Sequence, residues 1–222
     1  TVKDAALLLQ NLAGWDTRDP VSIRGSTPDF LTSPGKNIEG LRFAWSPDLG
    51  FAAVDPEVSD IASRGAATFQ DTGNYVDQPV ISIDYPMQSF LDIFTTNAFL
   101  SYGDLYRDHA DLVTDYVRQS LDHGGGVSGM DYARALLAVQ IMKAKLDEVF
   151  ESYDILLTPT MAVTAFTFDN RPDIIGGRRV NPNWDYSPFT PVFNLTGHPA
   201  ASIPCGFSAD GMPVGLHIVG RF

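Results

Sequence analysis

Apolar and polar positions along this chain change rhythm several times, and each rhythm predicts an element. Across residues 2–13, Ala5, Leu8, Leu9 and Leu12 form one helical stripe, and Gly14 stops it. Residues 22–40 lose the period, are rich in Gly and Pro, and read as a surface loop. Residues 41–46 (LRFAWS) read as a strand. Asp55 then offers an N-cap, with Pro56 at the first helical position and Glu57 near the positive end of the dipole. Val58, Ile61, Ala62 and Phe69 give that helix its buried face, and Gly73 ends it. Residues 74–80 supply another strand, so this span reads as a βαβ unit with a parallel strand pair.

Residues 86–121 carry a helical pattern, read as two helices broken near 101–103. The segment 123–129 (HGGGVSG) reads as a glycine-rich connection. Ser128 and Asp131 form an S-x-x-D box that opens a long helix. Its apolar side is Tyr132, Leu136, Val139, Ile141, Met142, Leu146, Val149 and Phe150. Residues 154–160 (DILLTPT) are a strand ending at a proline. Residues 200–204 and 214–220 read as two buried strands joined by 208–213, with Asp210-Gly211 as the tight-turn signal. No repeat, low-complexity tract or linker divides the chain, so residues 1–222 read as a single unit.

Composition narrows the function. A 44% hydrophobic content over 222 residues is ordinary for a globular protein. The net charge of −12 argues against contact with nucleic acid, because phosphates call for clustered Lys and Arg. The apolar runs are too short for a membrane span, and no secretory signal is visible. Cys205 stands alone, so no internal disulfide can form and a reducing cytoplasm is the simplest compartment. The chain opens on Thr1 in the middle of a helical pattern and stops just past an apolar strand. Both ends read as cut.

Candidate chemistry is sparse. The triplet Gly124–Gly126 lacks the Gly-Lys-Ser/Thr ending of a phosphate loop. His109, His123, His198 and His217 have no metal-ligand spacing. A triad of Ser202, His198 or His217, and Asp210 lacks a G-x-S-x-G elbow. His198, in LTGHPA, reads as a turn histidine bonded to backbone, and Cys205 as a small buried hydrophobe. The loop 169–187 is more informative, since it begins soon after a strand that ends at Thr158-Pro159-Thr160. In open α/β sheets, ligands sit at such carboxyl ends. Thr158, Trp184, Tyr186, Phe189, Phe193 and Asn194 are therefore the candidate substrate-binding residues. Trp184 and Tyr186 read equally as pocket walls or as anchors of the loop. Phe189 and Phe193 lean toward core, and Asn194 toward a turn-stitching amide. Arg178 and Arg179 could pair with a carboxylate but read more simply as a solvated rim.

Three blocks together carry a family resemblance: TVKDAALLLQNLAG followed by WDTRDP, the strand DILLTPT, and the P-x-x-N-L-x-G-x-P pattern at Pro191, Asn194, Leu195, Gly197 and Pro199. The chain resembles the carboxyl-terminal part of the amidase signature family, with the match weakest over 75–129. The resemblance implies an α/β fold, a mixed, mostly parallel sheet flanked by helices, of which this chain is the incomplete carboxyl-terminal portion. It implies hydrolysis of a small carboxamide by a lysine, a serine in a cis peptide and a nucleophilic serine, with no cofactor and no metal. Those groups precede the first helix in the family. Lys3, Lys36, Lys143 and Lys145 match no such motif, so no catalytic residue is assigned and the chain alone is expected to be inactive. The implied partner is the missing amino-terminal portion or a second chain, with a homodimer left open. On this reading the apolar faces of the 2–13 helix and the 214–219 strand stand exposed unless another chain covers them. Family members include stand-alone amidases and the catalytic subunit of aminoacyl-tRNA amidotransferase. The wording NWDYSPFTP is closer to the amidases, while Asp185 keeps the amidotransferase reading open. A noncatalytic binding module derived from the fold is the third alternative.

Overall fold

The computed structural model describes residues 1–35 and 37–222, so Lys36 lies outside the described residues. It forms two compact units, residues 1–39 and 40–222. The polar 22–40 stretch reads equally as a loop within one unit, which is why the sequence does not divide the chain there.

In the first unit, α1 spans Val2–Leu12 and opens on a capping box between Thr1 and Asp4. None of its residues is buried, and Leu12 is 74% exposed. The leucine stripe is exposed, as expected. Gln10 Oε1 accepts from Phe30 N at 2.8 Å, which ties the following loop to the helix.

The second unit is built on a five-stranded sheet in the order β2-β1-β3-β7-β6. These strands are β1 (Arg42–Trp45), β2 (Tyr75–Asp77), β3 (Ile155–Pro159), β6 (Ala200–Phe207) and β7 (Pro213–Gly220). β1 pairs in parallel with β2 and β3, while β7 runs antiparallel to both β3 and β6. Four strands therefore share one direction, and the sheet is mixed and mostly parallel. Strand alternation sends Phe43, Trp45, Leu157 and Leu216 to one face, where Ala62 and Ala66 of α2 (Pro56–Ala67) cover them. Ala44, Leu156 and Val219 point the other way, onto Met142, Leu146 and Phe150 of α5 (Gly129–Ser152) and Val192 and Phe193 of α6 (Thr190–Thr196). Asp55 caps α2 through the Glu57 and Val58 amides, a contact that typically contributes about 1 kcal/mol.

Several expectations need correction. The buried strand is β7, with Leu216 and Val219 in the core, because it lies between β3 and β6. The uncovered strand is its neighbour β6 at the sheet edge, where Ala200, Ala201, Ser202, Pro204 and Phe207 are exposed. α2 gives way after Ala67 to a 3-10 turn, Thr68–Thr72, before Gly73 ends the segment. On α5, Leu136 and Ile141 are exposed rather than buried.

The helix α3 runs unbroken from Met87 to Asp108, and the chain turns at Ala110–Leu112 before α4 (Asp115–Gly126). The glycine triplet is thus the last turn of a helix and not a connection. A Cβ on Gly124 would stand 2.0 Å from the Thr95 carbonyl oxygen, so only glycine lets α4 lie this close on α3. The loop 169–187 also contains a small hairpin, β4 (Ile174–Ile175) and β5 (Arg178–Arg179). Its Gly176-Gly177 turn has positive φ at both residues, the sequence signal for a two-residue hairpin.

Candidate active-site crevice

The carboxyl end of β3 is fixed on both sides. Leu157 pairs with Ile218, Thr158 with His217 and Pro159 with Leu216, and the Thr160 amide donates to the Gly215 carbonyl at 2.9 Å. On the far side of β7, Ser202 pairs with His217. These pairings bring the Thr160 and Ser202 hydroxyls to 2.7 Å from each other. A Cβ at Gly215 would lie 2.8 Å from both oxygens, so the glycine makes room for the hydroxyl pair.

Beyond Thr160 opens a crevice of about 330 Å³. Met161, Val163, Phe166 and Tyr186 line it together with Val58 of α2 and Val214 of β7. The Tyr186 ring meets Phe166 edge-on at 5.1 Å, and its carbonyl accepts from the Ala162 amide at 3.0 Å. The result is a mainly apolar cleft, with Gly215 in its lining and the two hydroxyls packed beside that glycine, at the position where open sheets bind ligands.

The six candidate residues do not converge on this cleft. Tyr186 lines it, whereas Thr158 is not in the lining and sits in β3 two residues before Thr160. Thr158 is fully buried and donates its hydroxyl to the Pro159 carbonyl at 2.8 Å. Trp184 instead packs on Phe90, Phe94 and Tyr116, at 5.3, 6.4 and 6.0 Å between ring centroids. Phe189 (0% exposed) and Phe193 (2%) are enclosed in the core with α5, leaving no face toward solvent. Asn194 sits on α6, a short helix where a turn was expected; its side chain is exposed and bonds no group among the described residues. Of the Thr160–Ser202–Gly215 cluster, only Ser202 figures among the sequence candidates, as a member of the triad set aside above. The alternation in AASIP and the T-P-T strand ending were its only signals.

The remaining polar candidates have structural duties. Arg178 and Arg179 are both exposed, as a rim would be, and Arg178 in addition donates to the Phe51 and Ala52 carbonyls at 3.3 and 3.2 Å, which holds the β4–β5 hairpin. Tyr85 donates to Asp185 Oδ1 at 2.5 Å, while Asp185 Oδ2 accepts from the Asn181 amide at 2.8 Å. Burial and then this bond raise the Tyr85 hydroxyl well above its ordinary range. Ser202, His198 and Asp210 do not form a triad. Asp210 is bonded by Ser208 at 2.5 Å, and His198 Nδ1 faces Thr196 Oγ1 at 2.9 Å. His198 therefore bonds a side chain and not backbone. Its Nε2 lies 3.3 Å from Asp147 Oδ1 but is misaligned for a hydrogen bond. Burial, and secondarily Lys143, hold its pKa below the ordinary value. No cluster of three or more metal-ligating side chains occurs among the described residues, and no helix of the structure is long and apolar enough to cross a membrane.

His217 yields a pH prediction. It is buried against Phe193, at 5.1 Å between rings, and burial lowers its pKa from 6.5 to about 4. The unfolded chain thus binds the proton first, so stability is complete above pH 6.5 and drains away as pH falls toward 4. Unfolding in urea is expected to show a loss of about 2 kcal/mol between pH 7 and pH 5 from this group. His217→Gln is expected to flatten that slope; an unchanged slope would assign the pH dependence elsewhere.

Comparison with known proteins fits this geometry. The family model described as Amidase matches residues 1–222. An acylamidase of Rhodococcus erythropolis is 31% identical over 224 residues, covering 100% of this chain and 47% of that protein. A glutamyl-tRNA(Gln) amidotransferase subunit of Lacticaseibacillus casei is 30% identical, covering 99% and 49%. The crystal structure of a bacterial aryl acylamidase of the amidase signature family superposes with a TM-score of 0.89 at 26% identity, over 100% of this chain and 48% of that one. The chain spans about half the length of the curated relatives it matches.

Proposed function

This chain belongs to the amidase family, and from that membership we propose that it is the carboxyl-terminal part of an enzyme hydrolysing a carboxamide to an acid and ammonia or an amine. The observation that carries this reading is the apolar crevice at the end of β3, next to the uncovered strand β6. By family resemblance, a preceding segment supplies a neutral lysine, a bridging serine and a nucleophilic serine. The nucleophile's oxygen bonds to the amide carbon while its proton passes through the bridging serine to the lysine. The proton then returns to the departing nitrogen as the carbon–nitrogen bond breaks. Water repeats the attack and releases the acid. In this scheme the present chain supplies the sheet behind that centre and one wall of the acyl pocket. Tyr186 is the wall residue, and Thr158 and Phe193 act beneath it. A reducing cytoplasm suits the unpaired Cys205.

A glutamine-specific amidotransferase subunit is the second reading, favoured by the relatives of that name. Asp185, the carboxylate suited to a glutamine amino group, already has both oxygens engaged by Tyr85 and Asn181. That geometry favours the amidase. The test is ammonia release from benzamide and from glutamine by the whole protein. Benzamide is expected to be the better substrate, and exclusive turnover of glutamine would transfer the chain to the second reading. In the same assay Tyr186→Ala is expected to raise KM for benzamide about tenfold, with kcat little changed, by removing apolar contact with the acyl group. An unaltered KM would take Tyr186 out of the pocket.

A further inference from the structure

His198 sits in the turn between α6 and β6, and its side chain has no exposure to solvent. Three contacts constrain its ring. Thr196 Oγ1 lies 2.9 Å from the Val192 carbonyl oxygen and 2.9 Å from His198 Nδ1, while His198 Nε2 lies 3.3 Å from Asp147 Oδ1 on α5. The carbonyl and the carboxylate can only accept, and the threonine hydroxyl has one proton to give. A neutral imidazole likewise carries one. With that proton on Nδ1, Thr196 bonds Val192 and a bare Nε2 faces the carboxylate. With it on Nε2, the Thr196 proton turns to Nδ1, and the hydroxyl oxygen faces the Val192 carbonyl with no hydrogen between them. Either tautomer leaves one pair of buried acceptors face to face, which is costly. Only the imidazolium supplies a hydrogen to all three contacts.

The surroundings favour the neutral ring at ordinary pH and keep the charged one within reach. Burial opposes the added charge, and so does Lys143, one turn before Asp147 on α5. Asp147 favours it, and the Phe150 ring, stacked on the imidazole at 5.2 Å, offers a π face to a cation. α6 carries no charged residue. From β7, His217 meets the same Phe193 ring as His198, at 5.1 Å against 6.5 Å. Arg221, past the end of β7, donates to the Phe150 carbonyl. Asp147 is half-exposed and free to turn. It stands 3.5 Å from Lys143 and 3.3 Å from an Nε2 with which it is misaligned. We propose that His198 and Asp147 form a proton-operated latch between α5 and the turn leading into β6. A proton taken up from solvent at Nε2 draws the Asp147 carboxylate from Lys143 onto the ring and pins the turn; its loss releases the turn. The latch stands independently of the amidase chemistry, because none of its residues belongs to the proposed pocket.

Nitrogen NMR of the whole protein, carrying ring-labelled histidine, follows both His198 nitrogens through an acid titration. The ring is expected to become doubly protonated while the protein is still folded, with a midpoint below the ordinary histidine value of about 6.5. Asp147→Asn removes the anion and is expected to weaken proton uptake about threefold or more. Lys143→Met removes the opposing charge and is expected to strengthen uptake by a similar factor; it also serves if the first variant does not fold. Hydrogen exchange of the peptide 193–203, corrected for the intrinsic effect of pH, reads the latch itself. Protection is expected to rise about threefold or more on passing below the midpoint. In Asp147→Asn the new side-chain amide can donate to a bare Nε2 with no proton taken up, so protection is expected to be high on both sides of the midpoint. A ring that stays neutral until the protein unfolds would overturn the latch. So would a midpoint that the substitutions leave unmoved, or exchange in 193–203 that does not follow the midpoint.

Discussion

Residues 1–222 purified alone are expected to leave benzamide intact, while the whole protein turns it over at least about 10⁶-fold faster than water does. The reason is the state of the described serine, histidine and lysine groups on and around the sheet. Ser202 is bonded to Thr160, and His198 faces Thr196. His217 is kept neutral in the core. Lys143 lies 3.5 Å from Asp147 and Lys145 2.9 Å from Asp84, so both serve as partners to carboxylates. None combines an exposed nucleophile with a base in contact. Ammonia release by residues 1–222, abolished by Ser202→Ala, would refute this account. Restoration of activity on adding the preceding half as a separate polypeptide would support it most directly.

Gly124→Ala is the substitution expected to cost most in stability. An added methyl would stand 2.0 Å from the Thr95 carbonyl oxygen, a backbone atom that cannot rotate away. α4 must therefore lift from α3. Alanine's better helix propensity returns up to about 1 kcal/mol. Overpacking against backbone exceeds that gain, and a net loss of roughly 3 kcal/mol is expected in urea unfolding. Gly126→Ala is the control: a Cβ there meets nothing within 4 Å, so its stability should change little or rise slightly. Equal behaviour of the two variants would show that the helices are not held at this distance.

Much of the fold is legible in the sequence because its signals are local. Asp55-Pro56-Glu57 announces α2, Ser128 and Asp131 announce α5, and Asp210-Gly211 marks the turn before β7. Continuity of α3 through Gly103 is not legible, since a glycine inside a helix costs about as much as one that ends it. What the structure adds is the Phe99 ring, which lies 3.2 Å from where a Gly103 Cβ would stand on its own helix and 3.0 Å from where one would stand at Gly125 on α4, a packing across the hairpin that no local signal encodes. Which of the last two strands is buried is equally nonlocal. β6 and β7 both carry small and β-branched residues, and only the insertion of β7 beside β3 separates core from edge. Residues of the candidate crevice follow the same division. Tyr186 could be inferred from its place after a buried strand, whereas Thr160, Ser202 and Gly215 meet only through two antiparallel pairings that no spacing encodes.

The bared strand β6 also sets terms for the life of the chain. A row of free amides and carbonyls at a sheet border is a template for misassembly, inviting identical molecules to zip together. Here the row is interrupted midway: Pro204 has no N–H to offer, and the irregularity between Pro204 and Gly206 breaks the ladder's spacing. A foreign strand can therefore grip only half its length. Such an interruption would discourage promiscuous fibril growth during synthesis.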